Sequence, residues 1–496
     1  MKRDGTPERT LRRALPYVTL AVSVLLAWLP SLTSYVALAD DYLDLSMLKN
    51  GLAGWYQTWG IWRIWGIPLS IYSINFHPLA PGLLVMAAHL LAVCLFYKTC
   101  VLFFGSAQLS FVLALLMGIF PWGYEAPLWS AAQSPVLAHP LFWANVIILV
   151  HYARRPLEKQ KTAFALSFLL TFAGALGNDY LIFSSMMSGA IVWLPENEWR
   201  SSAIKRRMIS HFSGWAPALA AFSYIVLWKL LSGSKVEDYK HPFFNFRTIF
   251  STYYYQYTNA WVFQPWANAV TRRLIFFEWN WQHTLAALLL MFLLAVALLI
   301  LFRGQAFEGQ PAFTGNANLL PYIILLLFGG SLVYAVSGGY SLDSRKKYSL
   351  IPLMLLLAGW AWMRFVHPAW KQPAVGRALV CALIVAGICT TWLVIGIWRF
   401  EVRRQDELVS YLNANNISGD IRLISEPDVY TAWPRLRETI GFRLDDDWVL
   451  SNALTYRQGG TLRVGQGSDL VRVGQSSAAT VLRFDSGLFR WERVSR

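Results

Sequence analysis

The chain has 496 residues, of which 56% are hydrophobic and 14% charged, with a formal net charge of +15. A soluble protein of this size carries about 25% charged residues, so the composition excludes an ordinary water-soluble enzyme. Many of the basic residues lie in short segments between apolar runs, where they set membrane orientation rather than signal nucleic-acid binding.

Apolar runs of about 18–22 residues recur along most of the chain, each long enough to cross a bilayer. Residues 1–14 carry Lys2, Arg3, Arg9, Arg12 and Arg13, which predicts a cytoplasmic N-terminus. The first run, Leu15 to Leu38, lacks a convincing small-residue cleavage site and reads as a retained helix, not a removed signal peptide. It exits near Tyr35, so Asp40 and Asp41 lie outside. Two adjacent carboxylates at the mouth of a span are costly unless they face water or a cavity. The bland reading is a cap on the helix that follows. The functional reading is a general base, because mutual repulsion and partial desolvation make one carboxylate a better acceptor for the proton of an attacking hydroxyl.

The segment 44–66 is too polar to cross. Trp55, Trp59 and Trp62 fall at i, i+4 and i+7, one face of a helix suited to the membrane interface. Arg63 and Trp65 follow, and an arginine among tryptophans also stacks on a ring. Spans are expected at 78–97, 106–120, 135–152, 162–177, 180–194 and 211–231. His89, near the middle of the second, reads as a hydrogen-bonded packing histidine. The outer loop from Pro121 to Trp129 holds Glu125, either a helix cap or a functional carboxylate. Asp179, in the outer turn Gly177-Asn178-Asp179, is either a turn former or a second acidic group. Arg154, Arg155, Lys205, Arg206 and Arg207 mark the inner side.

The longest outer segment, 232–282, contains Tyr253, Tyr254, Tyr255, Tyr257, Trp261, Trp266 and Trp279. These rings serve either as a sugar platform or as an interfacial belt. Spans at 283–302, 318–336, 348–366 and 378–397 complete a set of about eleven. Arg345, Lys346 and Lys347 sit in a short outer loop directly before a span, against the positive-inside bias. Such a breach asks for an anionic partner, a ligand phosphate or a lipid headgroup. Cys94, Cys100, Cys381 and Cys389 have neither metal-ligand spacing nor a disulfide pattern.

Past residue 400 the span-length apolar runs stop. A helical piece at 401–414 precedes short strands, with a hairpin at Val481–Phe484 and Leu488–Trp491 around Asp485-Ser486-Gly487. Arg463-Val464-Gly465-Gln466 and Arg472-Val473-Gly474-Gln475 read as two similar strands, and Asp445-Asp446-Asp447 as a solvated turn. The expected division is an all-α polytopic membrane domain over 1–399 and a small extracytoplasmic α+β domain over 400–496.

Several of these features together resemble the GT-C glycosyltransferases, integral membrane enzymes that take sugar from a polyprenyl-phosphate carrier. They are Asp40-Asp41 in the first outer loop, the aromatic helix with Trp62-Arg63-Ile64-Trp65, the loop with Pro121, Glu125 and Trp129, and the Arg345 loop before a late span. The resemblance covers roughly residues 15–400 and assigns no subfamily. It implies transfer to an extracytoplasmic glycan, lipid or protein, with inversion at the sugar carbon. Asp41, with Asp40 second, takes the role of base or of acceptor- or metal-orienting group. Glu125 and Asp179 are the candidates for a later acidic residue. Arg345, Lys346, Lys347 and Arg63 would stabilise the leaving phosphate, and Tyr254 and Tyr257 would contact sugar. A divalent metal is the one cofactor left open, and the bilayer of a bacterial inner membrane is the implied setting. An O-antigen ligase or polymerase, which also favours a large outer loop, is the nearest enzymatic rival. A transporter is the rival from another class, but the spans are nearly free of charge and show no repeat between halves.

Overall fold

The structure is a computed structural model. It describes residues 7–33, 76–77, 79–121, 125–128, 133–153, 160–178, 181–190, 215–224, 281–303, 319–336, 344–366, 373–417, 421–424, 464–466, 480–485 and 490–494, with single positions at 53, 65, 69, 73 and 227.

Helix α1, Pro7–Trp28, tightens into a 3-10 turn over Leu29–Thr33. Helix α2, Ala80–Phe104, returns. It was expected to stop near Lys98 but continues for six residues. Gly105 explains the later stop: its φ of 66° supplies the left-handed cap, and its N–H donates to the Val101 carbonyl. Ser106 then opens α3, Ala107–Ile119, its hydroxyl accepting from the Leu109 N–H. A Gly-Ser pair thus reverses the chain in two residues. Three helices follow a four-residue helix α4, Glu125–Leu128. They are α5, Ser134–Ala153; α6, Gln160–Gly177; and α7, Leu181–Ser188. Further on lie α8, Trp281–Arg303; α9, Leu319–Val336; α10, Ser344–Ala361; and α11, Pro373–Ala414.

Among the described residues, five stretches are long and apolar enough to cross a membrane: Ala14–Leu32, Ala80–Phe104, Ser134–His151, Tyr348–Phe365 and Val380–Ala414. Four shorter apolar helices accompany them, within α3, α6, α8 and α9. The chain is a multi-pass integral membrane protein. Without water in the bilayer, helices hold together by close packing and by polar side chains that reach across. Both devices are present. Gly329 of α9 lies so close to α7 that a Cβ there would stand 2.7 Å from the Phe183 carbonyl oxygen. Asn145 of α5 accepts from the Ser167 hydroxyl of α6 and donates to Ser188 of α7, whose carbonyl accepts from Tyr322 of α9 at 3.2 Å. Phe96, Phe103, Phe111, Trp143, Tyr322 and Trp398 fill the centre.

The span expected over 378–397 and the helical piece expected over 401–414 are one helix. α11 runs unbroken for 42 residues because 373–414 contains no interior Gly-Pro break strong enough to stop it. Beyond it lie four short strands: β1, Ile421–Ile424; β2, Val464–Gln466; β3, Thr480–Asp485; and β4, Arg490–Arg493. The sheet order is β2-β1-β3-β4, with β1 parallel to both neighbours and β3 antiparallel to β4. The expected hairpin is present. Its pairing puts Asp485 opposite Arg490, Phe484 opposite Trp491 and Leu482 opposite Arg493; 486–489 lie outside the described residues. The sheet touches the helix directly: the Trp491 indole N–H donates to the Arg404 carbonyl at 3.1 Å. The second near-repeat at 472–475 and the acidic triplet at 445–447 lie outside the described residues.

Candidate functional site

The C-terminal ends of α1 and α3 meet the N-terminal ends of α4, α5 and α10 at one end of the bundle. A helix leaves its last carbonyls without intrahelical partners, and in a bilayer those groups must be satisfied from elsewhere. Here side chains of other helices do it. The Gly118 carbonyl of α3 accepts from the Trp28 indole of α1 at 2.8 Å and from His89 Nε2 of α2 at 3.0 Å. The Ile119 carbonyl accepts from the Thr391 hydroxyl of α11 at 2.6 Å. The end of α1 is held the same way: the Leu26 carbonyl accepts from the Trp392 indole at 3.0 Å, and the Pro30 carbonyl accepts from the Arg399 guanidinium.

His89 also contacts the Tyr348 hydroxyl, Nδ1 to oxygen 2.7 Å. The directions of these bonds follow from the partners. A carbonyl only accepts, so the neutral ring carries its proton on Nε2, and Nδ1 accepts from the Tyr348 O–H. Tyr348 is buried in a nest of Val85, Ala126, Val136 and Leu137, with Trp65 packed against the nest. The His139 ring lies against it at 5.0 Å between centroids. Neither nitrogen of His139 has a hydrogen-bond partner among the described residues, although the side chain is buried. Trp28, His89, Met117, Phe120, Pro127, Tyr348, Ile351 and Pro352 line a small, partly open cavity of about 10 Å³, room for a single water.

Two helices that begin with sequence-derived candidates adjoin this nest. Arg345, Lys346 and Lys347 form the first turn of α10, immediately before Tyr348, rather than a loop ahead of the helix. Ser344 starts the helix early enough to take them in. Three cations at a helix N-terminus oppose the helix dipole, each by about 0.3–1 kcal/mol, and the backbone N–H groups there add further positive potential. Glu125 begins α4, whose next residue, Ala126, lies in the nest. Trp65, two residues after Arg63, donates its indole N–H to the Ala173 carbonyl at 2.9 Å. Its ring also covers Gly177 and leaves no room there for a Cβ. The C-terminal end of α6 therefore lies beside Trp65. Asp40, Asp41, Arg63, Asp179, Tyr254 and Tyr257 themselves lie outside the described residues. So does the aromatic helix face of Trp55, Trp59 and Trp62. Among the described residues, no three His, Cys, Asp or Glu side chains come together as a metal site.

No protein-family model matches the chain, and no curated protein matches it. Among solved structures it is similar to the crystal structure of ArnT from Cupriavidus metallidurans bound to undecaprenyl phosphate, at 12% identity and a TM-score of 0.45. That similarity covers 95% of this chain and 93% of the ArnT chain.

Sequence reasoning assigned His89 to packing, and it is indeed hydrogen-bonded within the helix bundle. Tyr348 and His139 were not singled out. Tyr348 had a signal, being the hydroxyl-bearing residue next to three cations at the head of an apolar run. His139 is a histidine in an apolar span, but which helix its ring faces is not written in its neighbours.

Proposed function

We propose that the protein is a membrane glycosyltransferase that moves a sugar from a polyprenyl-phosphate donor to an extracytoplasmic acceptor. The observation that supports this most is the convergence at one end of an apolar helix bundle. The helix α10, whose first turn bears Arg345–Lys347, the helix begun by Glu125, and Trp65 all contribute side chains to one buried nest, through Tyr348, Ala126 and the Trp65 ring. The end of α1, from which the Asp40–Asp41 segment departs seven residues after Thr33, joins it through Trp28. An anionic headgroup on a lipid is the ligand this suits. Its phosphate meets positive charge at the helix N-terminus while its chain stays in the bilayer.

The reaction follows from those parts. The acceptor hydroxyl oxygen attacks the anomeric carbon from the face opposite the phosphate. The bond from that carbon to the phosphate oxygen breaks, and the lipid leaves as a phosphate monoester. Asp41 takes the hydroxyl proton, with Asp40 beside it. Arg345, Lys346, Lys347 and Arg63 stabilise the charge that grows on the leaving phosphate. Glu125 and Asp179 are available to orient the acceptor, and Tyr254 and Tyr257 to hold sugar. This mechanism inverts the anomeric configuration. The division into a catalytic membrane domain over 1–399 and an extracytoplasmic domain over 400–496, in a bacterial inner membrane, belongs to the same reading.

The test is the acidic pair. Asp41→Asn keeps the shape but cannot accept a proton, and loss of a general base lowers the rate by about 10²–10⁴-fold. Asp40→Asn lowers it less. Both variants should insert normally, and the surface glycan that changes on removal of the protein should change in the same way in the double variant. Inactivation of the wild type by chelator would give the pair a metal-holding role instead. Near wild-type transfer by the double variant would make the pair a helix cap.

A further inference from the structure

We propose that His89 and Tyr348 form a latch that sets the position of the cationic turn Arg345–Lys347, so that His89 is a positioning residue for phosphate binding. The inference rests on the donor reading above and adds residues that reading does not use. A helix's first turn has no intrahelical acceptors for its N–H groups and frays unless something outside holds it. This one also carries three like charges at the unfavourable end of the dipole. What holds it is the next residue. Tyr348 is 7% exposed, is packed among Val85, Ala126, Val136 and Leu137, and donates to His89 Nδ1 at 2.7 Å. His89 is fixed in turn by donating to the Gly118 carbonyl, which the Trp28 indole also reaches. One run of hydrogen bonds therefore joins the cationic turn to the end of α1. The buried ring thus fixes the backbone at the start of α10, the turn that bears Arg345–Lys347.

The geometry gives a test that simple destabilisation does not mimic. An asparagine side chain places its amide where histidine has Nδ1; glutamine places its amide where histidine has Nε2. His89→Asn therefore keeps an acceptor for Tyr348 and loses the Gly118 bond. His89→Gln does the reverse. The full chain is reconstituted in phosphatidylcholine nanodiscs and titrated with undecaprenyl phosphate, with phosphatidic acid as a parallel arm, binding being read by tryptophan fluorescence. Tyr348→Phe and His89→Gln should weaken undecaprenyl phosphate binding roughly three- to tenfold, the equivalent of one ordinary buried hydrogen bond. His89→Asn, which keeps the Tyr348 bond and loses only the Gly118 anchor, should be weakened clearly less than His89→Gln, and Tyr348→Phe combined with His89→Gln should be no weaker than either alone. Equal affinity in all variants, or Asn and Gln weakened alike, overturns the latch while the donor reading stands. If phosphatidic acid binds as well as undecaprenyl phosphate and shows the same Asn–Gln contrast, the latch stands and the turn is a general headgroup site, which removes its support for the donor reading. A wild-type protein that binds neither lipid overturns both.

Discussion

Two histidines contact Tyr348, and their chemistry separates them. His89 spends both nitrogens, one on Tyr348 and one on Gly118. His139 spends neither within the described residues. Replacing His89 by Phe strands a buried hydroxyl and leaves a helix-end carbonyl to Trp28 alone, which costs about 1–3 kcal/mol. Replacing His139 by Phe removes two polar atoms and leaves an apolar ring among Phe142, Trp143 and Tyr348. That change is nearly neutral or stabilising. Thermal unfolding in nanodiscs should therefore rank His139→Phe at or above wild type and His89→Phe well below it. A large loss for His139→Phe would mean that its nitrogens are bonded after all, and a loss of transfer at full stability would give that ring a part in the site. Residue-level legibility was uneven for the same reason. Charge that breaks the positive-inside bias, as at Arg345–Lys347, is visible in the chain. A partner drawn from 259 positions away, as Tyr348 is for His89, is not.

At the level of elements, apolar runs gave the helices and misplaced their ends. α2 overran Lys98 because the stop signal was Gly105, α10 began at Ser344 and absorbed the basic residues, and α11 joined a span to what had read as a separate piece. Hydropathy locates the middle of a span; caps locate its ends, and caps made by other helices are invisible locally. The end of α3 shows this most plainly, with donors arriving from α1, α2 and α11. Thr391→Val keeps the shape and removes only the hydroxyl that reaches the Ile119 carbonyl. Side-chain hydrogen bonds between membrane helices average about 0.6 kcal/mol and reach about 1.7. The 2.6 Å distance and complete burial put this one toward the upper part of that range. Denaturant unfolding that detects no difference between Thr391→Val and wild type would show that the end of α3 finds another donor.

For the whole molecule, the first matter is which end faces out. The basic segments around Arg154 and Lys205 predict that α11 carries the sheet to the extracytoplasmic side. With Cys94, Cys100, Cys381 and Cys389 replaced by serine or alanine, Ser418→Cys should react with an impermeant thiol reagent in intact cells, after permeabilisation of any outer membrane. Labelling only after lysis would invert the topology and put the acidic pair in the cytoplasm. The continuity of α11 then acquires a mechanical meaning. At 1.5 Å per residue its 42 residues extend about 63 Å, roughly twice the hydrocarbon thickness. The sheet grips this rod at Arg404, and five residues earlier in the chain the rod grips the end of α1 through Arg399. A helix without a hinge transmits torque. A turn of the rod at Arg404 is therefore also a turn at Arg399, about 7.5 Å away along the same axis, and at the Pro30 carbonyl that Arg399 holds.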